Sequence, residues 1–189
     1  MDMKAQKTCF TISIFFALTM NSCAQDIPQP GTIDSYESCC GAEPVEFKTE
    51  TAYVFVPNVF TPNGDGINDY FLPFINERVV EIVDYIIYTA EGDTVIFDRP
   101  TFDFNDKENY AWNGLRYDGS VYKGAFRYTM LAALKDGGLM KVEGRACRIV
   151  CGAGAAVFRA KPGCFFPTQV DANGRLDRAL SNREDGCFR

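Results

Sequence analysis

From residue 52 to residue 151 the chain alternates apolar and polar side chains with a period of two, and turn residues interrupt the alternation at short intervals. That is the pattern of short strands with one buried face each. It predicts a first strand over 52–60 and a short second one over 70–74. A hairpin follows, with arms over 81–88 and 93–97 joined at Glu91-Gly92; its first arm is dense in β-branched and aromatic residues. Residues 125–134 form a strand that sets Phe126, Tyr128, Met130 and Ala132 on one face, and Asp136-Gly137-Gly138 turns the chain into a last strand over 139–151. Asp98, Asp103, Asp106, Lys107 and Glu108 mark a polar excursion outside the core. Nothing of helical period runs long enough to compete.

Six or seven short strands in about 100 residues bury their apolar faces by pairing two sheets. The predicted fold class is therefore mostly β, an immunoglobulin-like antiparallel β-sandwich with an extended N-terminal tether and a disulfide-linked C-terminal tail; a closed barrel is the less favoured arrangement. At 189 residues and 47% hydrophobic content there is room for one main domain. The net charge of -6 argues against a nucleic-acid partner, which needs clustered Lys and Arg. The chain has no histidine, which removes Ser-His-Asp and Cys-His nucleophiles and His-ligated zinc or haem. No catalytic residues are expected. Trp112 reads as a core residue, and Asp103, Asp106 and Glu108 read as a solvated loop rather than as the paired carboxylates of a glycosidase.

Residues 1–22 carry Lys4 and Lys7, then an apolar-leaning run over 9–20, then Asn21-Ser22 before Cys23. The run is too short to span a ~30 Å hydrocarbon core and reads as a signal peptide. Met20-Asn21-Ser22-Cys23 resembles a bacterial lipobox of the Ser-Cys form, which implies acylation of Cys23 and firm anchoring in a lipid bilayer; a plain secretory signal is the alternative. Residues 23–51, with Pro28, Pro30 and Gly31 and scattered acids, read as a tether. Six cysteines follow, Cys39, Cys40, Cys147, Cys151, Cys164 and Cys187, which suits three disulfides in an exported chain, with 15 connectivities open. Adjacent Cys39 and Cys40 point to two distant partners, stapling tether and tail to the domain. A four-thiolate zinc site is the rival, but the Cys-x2-Cys spacing is missing. The tail over 152–189 reads either as an extension packed on the domain or as a docking arm that orders on a partner, and its Phe165-Phe166 pair needs cover.

One stretch ties these elements together: Val56-Pro57-Asn58-Val59-Phe60-Thr61-Pro62-Asn63-Gly64-Asp65-Gly66-Ile67-Asn68-Asp69-Tyr70-Phe71. It joins two apolar strands through a tight acidic loop, with residues tolerant of positive φ at Asn63-Gly64 and Asp65-Gly66. This run resembles the hallmark of the gliding motility-associated C-terminal domain of Bacteroidetes. Ile86-Ile87-Tyr88, Val95-Ile96-Phe97, Trp112-Asn113-Gly114 and Gly124-Ala125-Phe126-Arg127-Tyr128 match in order, with Asn113 standing where the family usually has Asp. The likeness covers residues 53–150 and implies a module related to type 9 secretion. The lipobox and the residues after the last strand depart from that use, so a binding or scaffolding role is expected instead.

Against an EF-hand loop, Thr61, Asn63, Asp65, Gly66, Ile67 and Asp69 fall on positions 1, 3, 5, 6, 7 and 9, but position 12 is Leu72 where a bidentate Glu belongs. Two readings stand. Asn63, Asp65, Asn68 and Asp69 could bind calcium with help from elsewhere, or the same side chains bond neighbouring amides to hold the turn. The expected function is that of a non-catalytic, lipid-anchored outer-membrane lipoprotein, on the cell surface or in the periplasmic leaflet. It would be an accessory or scaffolding subunit of an outer-membrane protein complex for secretion, gliding or nutrient uptake. A cell-surface adhesion or glycan-binding module is the alternative.

Overall fold

The computed structural model describes residues 39–152, 155, 158 and 162–188; the signal peptide, Cys23 and the first part of the tether lie outside them. Eight strands are present among these residues: β1 (Glu46–Lys48), β2 (Tyr53–Phe55), β3 (Val59–Phe60), β4 (Phe74–Ile75), β5 (Val79–Thr89), β6 (Val95–Thr101), β7 (Gly124–Leu134) and β8 (Leu139–Arg148). They form a three-stranded sheet in the order β1-β2-β4 and a five-stranded sheet in the order β3-β8-β7-β5-β6. The chain is thus mostly β, as the alternation predicts. All described pairs of these strands are antiparallel except β3 with β8, which run parallel.

The predicted first strand is in fact two. Strand β2 ends at Phe55, and after Val56-Pro57-Asn58 the chain resumes as β3 in the opposite sheet. Pro57 has no amide to donate, so a continuous ladder breaks here. The polar groups around the break find other partners: the Val56 amide donates to the Val45 carbonyl (2.9 Å), and the Asn58 carbonyl accepts from the Cys147 amide (2.8 Å). The Asn58 side chain, 0% exposed, does more than bridge the gap. Its Nδ2 donates to the carbonyls of Ala42 (3.2 Å) and Gly163 (2.7 Å), and its Oδ1 accepts from the Phe165 amide (2.8 Å). One amide group therefore ties the N-terminal segment, the crossing between sheets and the tail.

Other boundaries shift for local reasons. Strand β6 runs on to Thr101 through Pro100, which an edge strand tolerates because its outer side needs no ladder amide. Within the polar excursion lies the one α-helical turn among the described residues, α1 (Lys107–Tyr110). Instead of pairing over 70–74, Phe71 makes an isolated bridge with Trp112 and β4 begins at Phe74. Residues 39–51, read as the end of the tether, are part of the fold: β1 pairs with β2, and Val45 and Cys39 are buried.

The core between the sheets is aromatic. Phe126, Tyr128, Met130 and Ala132 are all buried, as their shared face predicts. Phe126 meets Phe71 and Trp112 edge to face at 4.8 Å each. Such pairs add about 0.5–1.5 kcal/mol beyond the area they bury. Trp112 is fully buried, its Nε1 donating to the Leu115 carbonyl (2.7 Å). A second cluster forms around the disulfides Cys39–Cys147, Cys40–Cys164 and Cys151–Cys187, where Phe166 packs on Phe188. Both adjacent cysteines reach distant partners, and Phe165 and Phe166 are covered by the domain itself. Over the described residues 162–188 the tail is a packed extension, not a free arm.

Asn58→Ala leaves two carbonyls and one amide without their partners, at about 1–3 kcal/mol for each buried group. Urea unfolding is expected to show a loss of several kcal/mol, whereas Asn63→Ala on the exposed loop stays within about 1 kcal/mol of wild type.

Candidate functional site

The acidic loop between β3 and the Phe71 bridge is held by its own side chains. Gly64 and Gly66 both take φ of +82°, and Asn68 takes +51°, conformations that the Asn/Gly/Asp composition permits. The Asp69 carboxylate closes the loop: Oδ1 accepts from the amides of Asn63 and Gly64 (2.8 Å each) and Oδ2 from the Gly66 amide (2.7 Å). Asp65 Oδ1 accepts from the Ile67 amide (2.8 Å), and Asn63 Oδ1 from the Asp65 amide (3.0 Å). Asn63 Nδ2 also donates to Asp65 Oδ2 (3.0 Å). Two backbone strands of the loop are joined where the Thr61 amide meets the Asn68 carbonyl (2.9 Å).

The fourth residue of the set faces the other way. Asn68 is 5% exposed and points toward the tail, with Oδ1 accepting from the Thr168 amide (2.8 Å) and Nδ2 donating to the Asn182 carbonyl (2.8 Å) and to Glu184 Oε1 (2.5 Å). Thr61 Oγ1 donates to the same Glu184 oxygen. Glu184, 1% exposed, is thus a buried carboxyl supplied by the tail to the underside of the loop, and its Oε2 has no hydrogen-bond partner among the described residues. Burial pushes its pKa up, the hydrogen bonds from Thr61 and Asn68 oppose that, and the charges of Asp65 and Asp69 push it further up. The tail residues Thr168, Asn182 and Glu184 give no sign in the sequence that they belong here, because more than a hundred positions separate Glu184 from its partners in the loop.

The structure therefore divides the four predicted ligands. Asn63, Asp65 and Asp69 share the loop and turn oxygens onto the loop's own amides, while Asn68 serves the contact with the tail. Among the described residues no three Asp, Glu, His or Cys side chains are grouped to hold one ion. This is the geometry of a self-capped turn. Asp103 and Asp106 are likewise engaged locally, Asp103 Oδ1 with the Asn105 amide (2.8 Å) and both Asp106 oxygens with Asn109 Nδ2 (3.0 Å). The six cysteines of residues 39–187 pair among themselves, leaving no thiolate set for zinc. Cys23 lies outside the described residues.

Two measurements test this geometry. Millimolar calcium is expected to leave the melting temperature of the wild type unchanged, while Asp69→Ala lowers stability by about 1 kcal/mol by freeing three exposed amides. A calcium-dependent rise that vanishes in Asp65→Ala would place an ion in the loop. For Glu184, a carboxyl whose pKa is raised on folding contributes stability that is complete below the ordinary glutamate value of 4.5 and lost as pH rises through the folded value. The contribution of Glu184 should therefore shrink as pH rises from about 4 toward neutrality, so the melting temperature of Glu184→Gln should gain on that of the wild type over this range. No protein-family model and no curated protein matches the chain.

Proposed function

We propose that this protein is a non-catalytic, lipid-anchored module of a bacterial outer membrane that contributes a binding or scaffolding surface to an envelope assembly. The observation that carries the reading is the cysteine economy. Cys39, Cys40, Cys147, Cys151, Cys164 and Cys187 pair completely with one another, which suits folding in an oxidising, exported compartment. Those pairs do not draw on Cys23, the cysteine that follows Ser22 at the end of the apolar run, so it is available for acylation. The resemblance of residues 56–71 to the gliding motility-associated hallmark supports a place in secretion, gliding or nutrient-uptake machinery. A self-capped loop and an aromatic core supply surface and rigidity and call for no chemistry of bond making.

Mass spectrometry of the protein extracted from membranes tests the anchor. The expected N-terminal peptide begins at Cys23 and carries acyl chains, and Cys23→Ser moves the protein to the soluble fraction. Recovery of an unmodified Cys23 from a soluble wild-type protein would remove the anchor and with it this reading. Affinity capture from solubilised membranes is expected to bring down the same envelope proteins with wild type, and not with a Cys23→Ser chain that never reaches the bilayer.

A further inference from the structure

An open cleft of about 510 Å3 lies where the start of β5, the end of β6, the 102–105 loop and α1 meet, lined by Val80, Glu81, Thr101, Phe102, Asp103, Phe104, Asn105 and Tyr110. Its floor is rigid. Phe102 is 4% exposed and packs on Tyr85 (5.6 Å), Phe104 (4.7 Å) and Tyr110 (6.4 Å), and its amide donates to the Ile82 carbonyl (2.9 Å). Phe104 and Tyr110 are only half-buried, so ring surface stays open to the cleft, and Val80 is 56% exposed beside them. The strap that carries these rings is fixed from behind, where Arg99 Nε donates to the Asn109 carbonyl (2.9 Å).

The charge is one-sided. Glu81 and Asp103 are both exposed carboxylates, neither is joined to a cation among the described residues, and no Lys or Arg lines the cleft. Asp103 Oδ1 is turned toward Asn105, which keeps the carboxylate in place. Aromatic faces attract a cation through their quadrupole, carboxylates give it charge-assisted hydrogen bonds, and an apolar wall suits an alkyl stem. A neutral sugar could stack on the rings and hydrogen-bond the carboxylates, but only a cation also gains the attraction between opposite charges.

The position matches the chemistry. Val79 pairs with Leu134 and Val83 with Thr101, whereas Cys147, the partner of Cys39, pairs with Ala125 at the other end of β7. At about 3.3 Å per residue the nine steps from Ala125 to Leu134 put the cleft about 30 Å from the end where the N-terminal segment joins the sheet. From these observations we infer that the cleft receives an Arg or Lys side chain from a segment of a partner polypeptide. This docking site is independent of how the chain is anchored.

A direct test is a titration of the purified whole chain, isotope-labelled for NMR, with a capped Gly-Arg-Gly peptide and with the same peptide carrying neutral citrulline. Saturable shifts are expected at residues 80–81 and 101–110 with the arginine peptide, with affinity about tenfold weaker for citrulline. Added salt weakens the arginine peptide further. The double variant Glu81→Gln, Asp103→Asn changes no core contact and should melt like wild type while losing the same tenfold. Three outcomes would overturn the proposal: no localised shift with the arginine peptide, equal binding of citrulline, or stronger shifts of the same residues with a neutral oligosaccharide.

Discussion

Everything in this fold converges on the crossing at Val56-Pro57-Asn58. A sandwich needs its two sheets held in register, and here one short segment belongs to both, leaving the small sheet at Phe55 and joining the large one at Val59. A proline in the middle of that segment forbids a simple continuous strand, and the Asn58 side chain compensates by bonding three separate backbone groups. In a medium without water those groups have no alternative partner, which makes the amide a constraint on three distant parts of the chain at once.

The tail and the N-terminal segment follow from that constraint. Residues 162–188 contain no regular strand and could not stay ordered by themselves, since the entropy of fixing each residue costs about 1–2 kcal/mol. Three disulfides shrink the unfolded ensemble, and buried Phe165, Phe166 and Phe188 provide the apolar contact. The hairpin-like 170–176 segment then lies so close to β4 that a Cβ at Gly174 would meet the Ile75 carbonyl oxygen at 2.3 Å, which explains a glycine with φ of +73° at that place. Below the acidic loop, Glu184 completes the same attachment at a cost: a carboxyl is kept from water by the very contacts that seat the tail.

What could be read from the sequence was what local pattern controls. Alternation of Phe126, Tyr128, Met130 and Ala132 fixed a buried face, and the Asn/Gly/Asp spacing fixed a turn held by its own side chains. Pattern fails where the decisive partner is remote. The split of the first predicted strand depends on Val45, Cys147 and Phe165, far away along the chain, and the parallel pairing of β3 with β8 depends on the split. The disulfide connectivity, the seat of Asn68 and the burial of Glu184 are set by the same long-range contacts, and no spacing rule reaches that far. The extension of β6 through Pro100 was hidden for another reason, because its proline and charges read as loop until the strand is known to lie at an edge.

The bridge from Cys39 to Cys147 also decides how the domain responds to being pulled. Tension on the N-terminal segment does not peel β1 from β2 one hydrogen bond at a time, because the covalent link passes it straight to the end of β8, between β3 and β7. From there it runs lengthwise along the long β7–β8 ladder, where many bonds must shear together before any breaks. A load between the two poles therefore meets the ladder in shear and not in peeling.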